Sequence, residues 1–237
     1  MASYSIVTIC VRRWDYLLRS LPGWRALPGR KNIFVVTYAF DDIPRAGLEQ
    51  EHVVVIDSRP FHLTKARNTG ARAAKQTDGP DYLLFIDADI VMADGPLFVK
   101  PLEAGPDCVL DAPHAILDLR PSLGGQRDPE RTVRGLRGTH FVKPELFFKI
   151  NGYNQQMKGW GYEDLDLFGR YARASGNVAY YDRSALRHQV HSDMVRRQMQ
   201  AEPLEVTLRR NKAVAAGAWA GDFGYASFEI RPPRRGP

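Results

Sequence analysis

The chain has 237 residues, 44% of them hydrophobic and 25% charged, which suits one α/β domain, or a domain with a tail, and excludes a disordered or fibrous protein. A formal net charge of +6 and a pI of about 9.4 favour an anionic partner, a phosphorylated ligand or nucleic acid, and fit a plain solvated basic surface equally. The longest apolar runs, such as Tyr82–Ile86, have strand length, so no membrane span is expected.

In chain order, Ser5–Val11 is short, apolar and β-branched, and reads as a buried first strand ending at Arg12 and Arg13. Tyr16, Leu17, Leu18, Leu21 and Trp24 suggest a helix that Pro22-Gly23 breaks early. Ile33–Tyr38 and His52–Asp57 are the next strands, with Asp41 and Asp42 after the first of them. Thr64–Lys75 has helical spacing, with Ala66, Thr69, Gly70, Ala73 and Ala74 small enough for close packing, and Gly79-Pro80 ends it. Asp81–Ile86 is a fourth strand that runs into Asp87-Ala88-Asp89. Strands alternating with helices predict a mostly parallel central sheet with helices on both faces. Ligands of such sheets bind beyond the C-terminal strand ends, where Arg12, Arg13, Asp41, Asp42, Asp87 and Asp89 all fall. Further on, Gly124–Glu130 reads as a loop, and the Pro- and Arg-rich stretch from Arg231 to Pro237 as a disordered tail.

Only two cysteines occur, Cys10 and Cys108, both in apolar surroundings. Buried free thiols are expected rather than a disulfide. The first residues lack a basic segment followed by a long apolar one, so no signal peptide is expected and the location is read as cytoplasmic.

Two clusters carry chemistry. Asp87 and Asp89, one residue apart in extended chain, project to the same side and can hold one divalent cation past a buried strand. Carboxylates suit Mg²⁺ or Mn²⁺, and an added imidazole tilts the choice to Mn²⁺. The second cluster is Gly159-Trp160-Gly161-Tyr162-Glu163-Asp164-Leu165-Asp166. Its glycines can let Trp160 project into a cleft, where an indole stacks on a sugar ring. Glu163–Ala174 is a helix with Leu165, Phe168 and Ala172 on one face and Gly176 as its cap. Carboxylates in a first helical turn are also ordinary, and Asp166 has Arg170 four residues on. As chemistry, one of Glu163, Asp164 and Asp166 would act as general base on an acceptor hydroxyl while a neighbour holds the acceptor.

The order Arg67-Asn68-Thr69-Gly70, Asp87-Ala88-Asp89, Ile150-Asn151-Gly152-Tyr153, Gly159 to Asp166 and Arg187-His188 resembles the β-1,4-galactosyltransferases. More broadly it resembles the metal-dependent inverting glycosyltransferases of the GT-A fold, bacterial chondroitin-type polymerases included. The likeness spans roughly Ser5 to Asp193. It implies a GT-A domain over residues 1–200 with a C-terminal appendage over 201–237, a nucleotide-sugar donor, usually a UDP-sugar, and inversion by direct displacement. By the same resemblance Asp164 is the catalytic base, with Glu163, Trp160 and Asp166 on the acceptor. Asp89 and His188 hold the metal, with Asp87 facing the nucleotide beside it and His191 as a rival to His188. Thr8, Arg12, Arg13, Lys65, Asn68 and Gly161 lie where the family binds the donor. Gly138-Thr139-His140-Phe141 stands where the family has a small-residue stretch near the donor sugar. Neither the membrane anchor and stem nor the disulfide framework of the animal Golgi enzymes is expected.

The expected acceptor is a saccharide or small metabolite. A modified nucleic-acid base is the alternative, with Arg196, Arg197, Arg209, Arg210, Lys212 and the C-terminal arginines available to phosphates. A nucleotidyltransferase would also use paired aspartates, but no Gly-rich phosphate loop ending in Lys-Ser/Thr is present. A non-catalytic sugar or nucleic-acid binding module would not need Asp87, Asp89 and Asp164 together. A lid is expected over residues 121–137, and Ala213–Gly224, where Trp219, Phe223 and Tyr225 offer aromatic surface, reads either as a flap over the acceptor or, at least equally, as packing onto the core.

Overall fold

The computed structural model describes residues 2–44, 46–111, 138–190, 202–215 and 226–233. The strands are β1 (Tyr4–Ile9), β2 (Lys31–Tyr38), β3 (His52–Ile56), β4 (Tyr82–Phe85), β5 (Ile90–Met92), β6 (Cys108–Asp111), β7 (His140–Val142), β8 (Val178–Tyr181), β9 (Leu186–His188) and β10 (Phe228–Arg231). Eight of them form one sheet in the order β10-β3-β2-β1-β4-β7-β6-β8, while β5 and β9 make a small antiparallel pair. β3, β2, β1 and β4 run parallel, as do β6 and β8, while β7 and β10 run against their neighbours. The expected α/β architecture with a mostly parallel sheet is therefore the observed one.

The central strands are apolar on both faces because helices cover both. Ile6, Val35, Val53 and Leu84 pack toward helix α1 (Trp14–Arg25), and Val7, Phe34, Val36, Val54 and Phe85 toward helix α2 (Leu63–Asp78). At Gly70 of α2 a side chain would come within 2.6 Å of Val7 and Val36, so only glycine lets the helix lie this close to the sheet. The helix ends at Gly79 in the left-handed region, as expected.

Helix α1 does not break at Pro22-Gly23 but runs to Arg25. Pro22 forfeits one helical hydrogen bond, and burial offsets it. Leu17, Leu21 and Trp24 are all buried, and the Trp24 indole N–H donates to the Ile90 carbonyl at 2.9 Å. Both cysteines are free and buried, as read from the sequence.

The remaining helices are α3 (Gly95–Val99), α4 (Pro144–Lys149), α5 (Glu163–Ala174) and α6 (Leu204–Ala215). The bounds of α5 match the expectation, but its end does not: the last turn closes on extended Ser175, not on Gly176. Its buried face is Leu167, Phe168 and Tyr171, with Ala172 exposed. Past residue 200, β10 pairs antiparallel with β3 at the sheet edge and α6 packs on α5. No helix among the described residues is long and apolar enough to cross a membrane. The expected loop and lid (121–137), His191, Arg196, Arg197, Trp219, Phe223, Tyr225, Arg234 and Arg235 lie outside the described residues.

Candidate active site

The site begins at the C-terminal ends of β1, β2 and β4. Thr8 is buried on β1, and the chain then turns through Arg12 at φ +56°. The Arg12 N–H donates to Asp41 Oδ2 at 3.1 Å, and Thr37 Oγ1 donates to the same oxygen at 3.2 Å, which ties the ends of β1 and β2 together. Exposed on this edge, the Arg12 side chain is open to an anion.

Asp87 and Asp89 do not lie on extended chain. The chain leaves the extended conformation after Phe85, and the Ile90 N–H donates to the Asp87 carbonyl at 3.1 Å to turn into β5. Asp89 is thereby buried, its side chain 2% exposed, and ion-paired with Arg13. His188 Nε2 lies 3.5 Å from the same Asp89 oxygen, because β9 pairs with β5 in a register that sets His188 opposite Ile90. Asp87 keeps a side chain 41% exposed and accepts from Arg67 Nη2 at 3.0 Å.

Among the described residues no group of three or more His, Cys, Asp or Glu side chains is gathered as for a metal ion. The Asp89–His188 pair nonetheless fits a hard divalent cation, since one carboxylate oxygen and one imidazole nitrogen converge, and such an ion would take the place that the Arg13 guanidinium now holds at Asp89. Such a centre would need further ligands from outside the protein, such as water or phosphate oxygens.

Across the cleft, the turn at Asn151 and Gly152 carries left-handed φ values of +60° and +51°, which Asn and Gly tolerate best. Gly159, Gly161 and Tyr162 follow at φ +69°, +102° and +69°. A left-handed tyrosine is strained, and it aims the three acidic residues that open α5. The Gly161 N–H donates to Glu163 Oε2 at 2.6 Å, and Asp164 Oδ1 accepts from Arg67 Nη1 at 2.7 Å and from the Tyr153 hydroxyl at 3.3 Å. Burial raises the pKa of both carboxyls; Glu163 is pushed up to about 7, with the Asp164 charge adding to it, while Arg67 pulls both back down. Arg67 itself is desolvated, yet the surrounding carboxylates hold it charged.

Several expected site residues sit elsewhere. Asn68 is buried and locks the backbone of Tyr153 through two hydrogen bonds of 2.9 Å, so it shapes the turn and does not face a donor. Asp166 is buried, its Oδ2 held by Arg170 at 2.6 Å. Trp160, half-buried, stacks on Phe61 at 5.3 Å. Lys65 stands half-buried in the first turn of α2. The two glycines serve less to free Trp160 than to seat α6. A side chain at Gly159 would strike Thr207 at 2.8 Å, and one at Gly161 would strike Leu208 at 2.3 Å. Buried Asn211 then donates to the carbonyls of Lys158 and Gly161 at 3.1 and 2.9 Å.

Arg67 and Tyr153 stand in the motifs that carry the resemblance but had no role assigned from the sequence, and Asn211 was not singled out at all. For Arg67 a signal existed: Leu63, Arg67, Gly70 and Ala74 share the buried face of α2, and a charge on such a face needs a partner. For Asn211 no local signal exists.

Residues 124–192 match the family model described as the N-terminal domain of galactosyltransferase. The chain is similar in structure to Drosophila β-1,4-galactosyltransferase 7 in complex with manganese, UDP-Gal and xylobiose, at 16% identity and TM-score 0.58, covering 94% of this chain and 83% of that one. It is a glycosyltransferase of the GT-A fold. The fold of this glycosyltransferase also resembles GalNAc-T7 with UDP, GalNAc and Mn²⁺, at 15% identity and TM-score 0.63, over 94% of this chain and 49% of that one. Staphylococcus aureus TarS is similar at 13% identity and TM-score 0.55, over 75% of this chain and 57% of that one. No curated protein sequence matches the chain.

Proposed function

We propose that this glycosyltransferase moves a sugar from a UDP-sugar to a hydroxyl of a saccharide or small metabolite, with metal dependence and inversion at the anomeric carbon. The observation that carries this reading is the convergence of Asp164 and Asp87 on one arginine at the C-terminal edge of the sheet, from 77 residues apart in sequence (164 − 87). A donor-side acid and an acceptor-side acid thus flank one cleft. UDP-sugar and manganese complexes of similar folds support the donor class.

In this reading Asp164 takes the proton of the acceptor hydroxyl as its oxygen attacks the anomeric carbon, and the bond from that carbon to the diphosphate breaks on the opposite face. Burial keeps Asp164 a stronger base than a solvated carboxylate, and Arg67 keeps it ionised against that burial. Glu163, braced by the Gly161 N–H, and Trp160 line the acceptor side. Arg12 and Lys65 supply positive charge for the donor phosphates. Asp89 and His188 would hold Mn²⁺ or Mg²⁺, which when bound neutralises the diphosphate leaving group.

The test is a panel of UDP-, GDP- and dTDP-sugars assayed with and without Mn²⁺. One donor is expected to bind in a metal-dependent manner, lost in Asp89→Ala, while Asp164→Asn still binds it and fails to transfer. Near-normal turnover of Asp164→Asn would remove the base assignment.

A further inference from the structure

Burying a guanidinium is costly unless its nitrogens are paired. Arg67 sits mid-helix in α2 with its side chain 5% exposed, and its two terminal nitrogens serve different elements. Nη2 reaches Asp87 just past β4, and Nη1 reaches Asp164 in the first turn of α5, with Glu163 Oε1 at 4.0 Å. The guanidinium lies over the Tyr153 ring at 4.9 Å, and the Tyr153 hydroxyl donates to the same Asp164 oxygen. Tyr153 is in turn locked to Asn68, the next residue of α2. Gly138 closes the third side: a side chain there would stand 2.9 Å from Arg67 Nη2 and 3.0 Å from Asp87 Oδ2, so the ion pair has room only beside glycine.

A core position on a helix is filled more cheaply by an apolar residue of similar volume, so packing alone does not call for an arginine here. A planar fork does what packing cannot: it sets the spacing and angle between two carboxylates on separate elements. We propose that Arg67 is a positioning residue that joins the donor-side Asp87 and the acceptor-side Asp164 into one rigid unit, so that the protein itself sets the direction from which Asp164 meets the acceptor. This rests on the reading of Asp164 as the base.

The informative variant is Arg67→Lys, which keeps the charge but cannot span both carboxylates. Binding of UDP with Mn²⁺ is measured by calorimetry, and UDP release is followed over the sugar panel, for Arg67→Lys, Asp164→Asn and the double variant. Arg67→Lys should bind UDP within about threefold of the parent while kcat falls about 100-fold at little change in KM for the donor. In the Asp164→Asn background the same change should cost under about threefold more, since both act through one carboxylate. Losses that multiply, or a loss confined to UDP affinity, would overturn the proposal. Urea unfolding of Arg67→Met, alone and with Asp164→Asn, separates the holding role from the base role. The destabilisation by Arg67→Met should change in the double variant, whatever Asp164 does in catalysis. An unchanged value would refute the holding itself, whereas a changed value beside normal turnover of Asp164→Asn would remove only the base reading.

Discussion

Asp89 and Asp164 are both largely buried carboxylates that face an arginine, but the two arginines are held differently. Arg13 is 18% exposed and rests against Tyr16, its guanidinium 5.5 Å from the ring. Arg67 is 5% exposed and enclosed by three carboxylates and an aromatic ring. The first pair can open when a stronger cation or a phosphate arrives, because Arg13 has water to retreat to. The second cannot open without leaving charges stranded in the core. The Asp89 pair is thus built to exchange partners, and the Asp164 pair to hold still.

The largest effect that sharpens this contrast is kinetic. Asp164→Asn should lower transfer by about 10²- to 10⁴-fold with donor binding retained, whereas Asp89→Ala should act on metal-dependent donor binding. The same phenotype from both would erase the division of labour. Next comes stability: Arg67→Met should cost about 3–5 kcal/mol by leaving three carboxylates without their shared cation, and Arg13→Met less, because it strands Asp89 alone. Equal losses in urea unfolding would mean the two arginines are held alike after all. Asn211→Ala should cost about 1–3 kcal/mol by leaving the Lys158 and Gly161 carbonyls without their donor. With it the KM for the acceptor should rise while UDP affinity holds; an unchanged acceptor KM would detach α6 from the site.

The smallest effect is on pH dependence. Burial raises the Glu163 pKa from its ordinary 4.5 to about 7, so the folded state holds this proton more tightly than the unfolded state between those values. Stability should therefore fall as pH rises from about 4.5 to about 7, and Glu163→Gln should flatten that fall in thermal unfolding. A slope that survives the substitution would place the responsible group elsewhere.

Much of the donor side was legible in the chain. Apolar runs of strand length ending in Arg12-Arg13, Asp41 and Asp87-Ala88-Asp89 mark successive parallel strands, and parallel strands bring their ends to one edge whatever the intervening sequence. The reading failed where it took Asp87 and Asp89 as extended, because the backbone bond from Ile90 closes a turn there. On the acceptor side the bounds of α5 were plain from its spacing, but the duties of its acids were not. Asp164 and Asp166 have the same local sequence claims, and only the neighbours differ: Arg67 comes from a helix 97 residues away, Arg170 from the next turn.

Local pattern determined the first four strands, the helix α2 with its Gly79 stop, the free buried thiols and the two acidic clusters, since each depends on residues within a few positions of one another. Tertiary structure alone decided that α1 runs through Pro22, that Asn68 and Asp166 serve the scaffold, and that Gly159 and Gly161 are sockets for a helix about 50 residues later. Those outcomes depend on which distant surface arrives at a given residue. Burial, pairing and close approach are properties of that meeting, and no spacing rule along the chain encodes them.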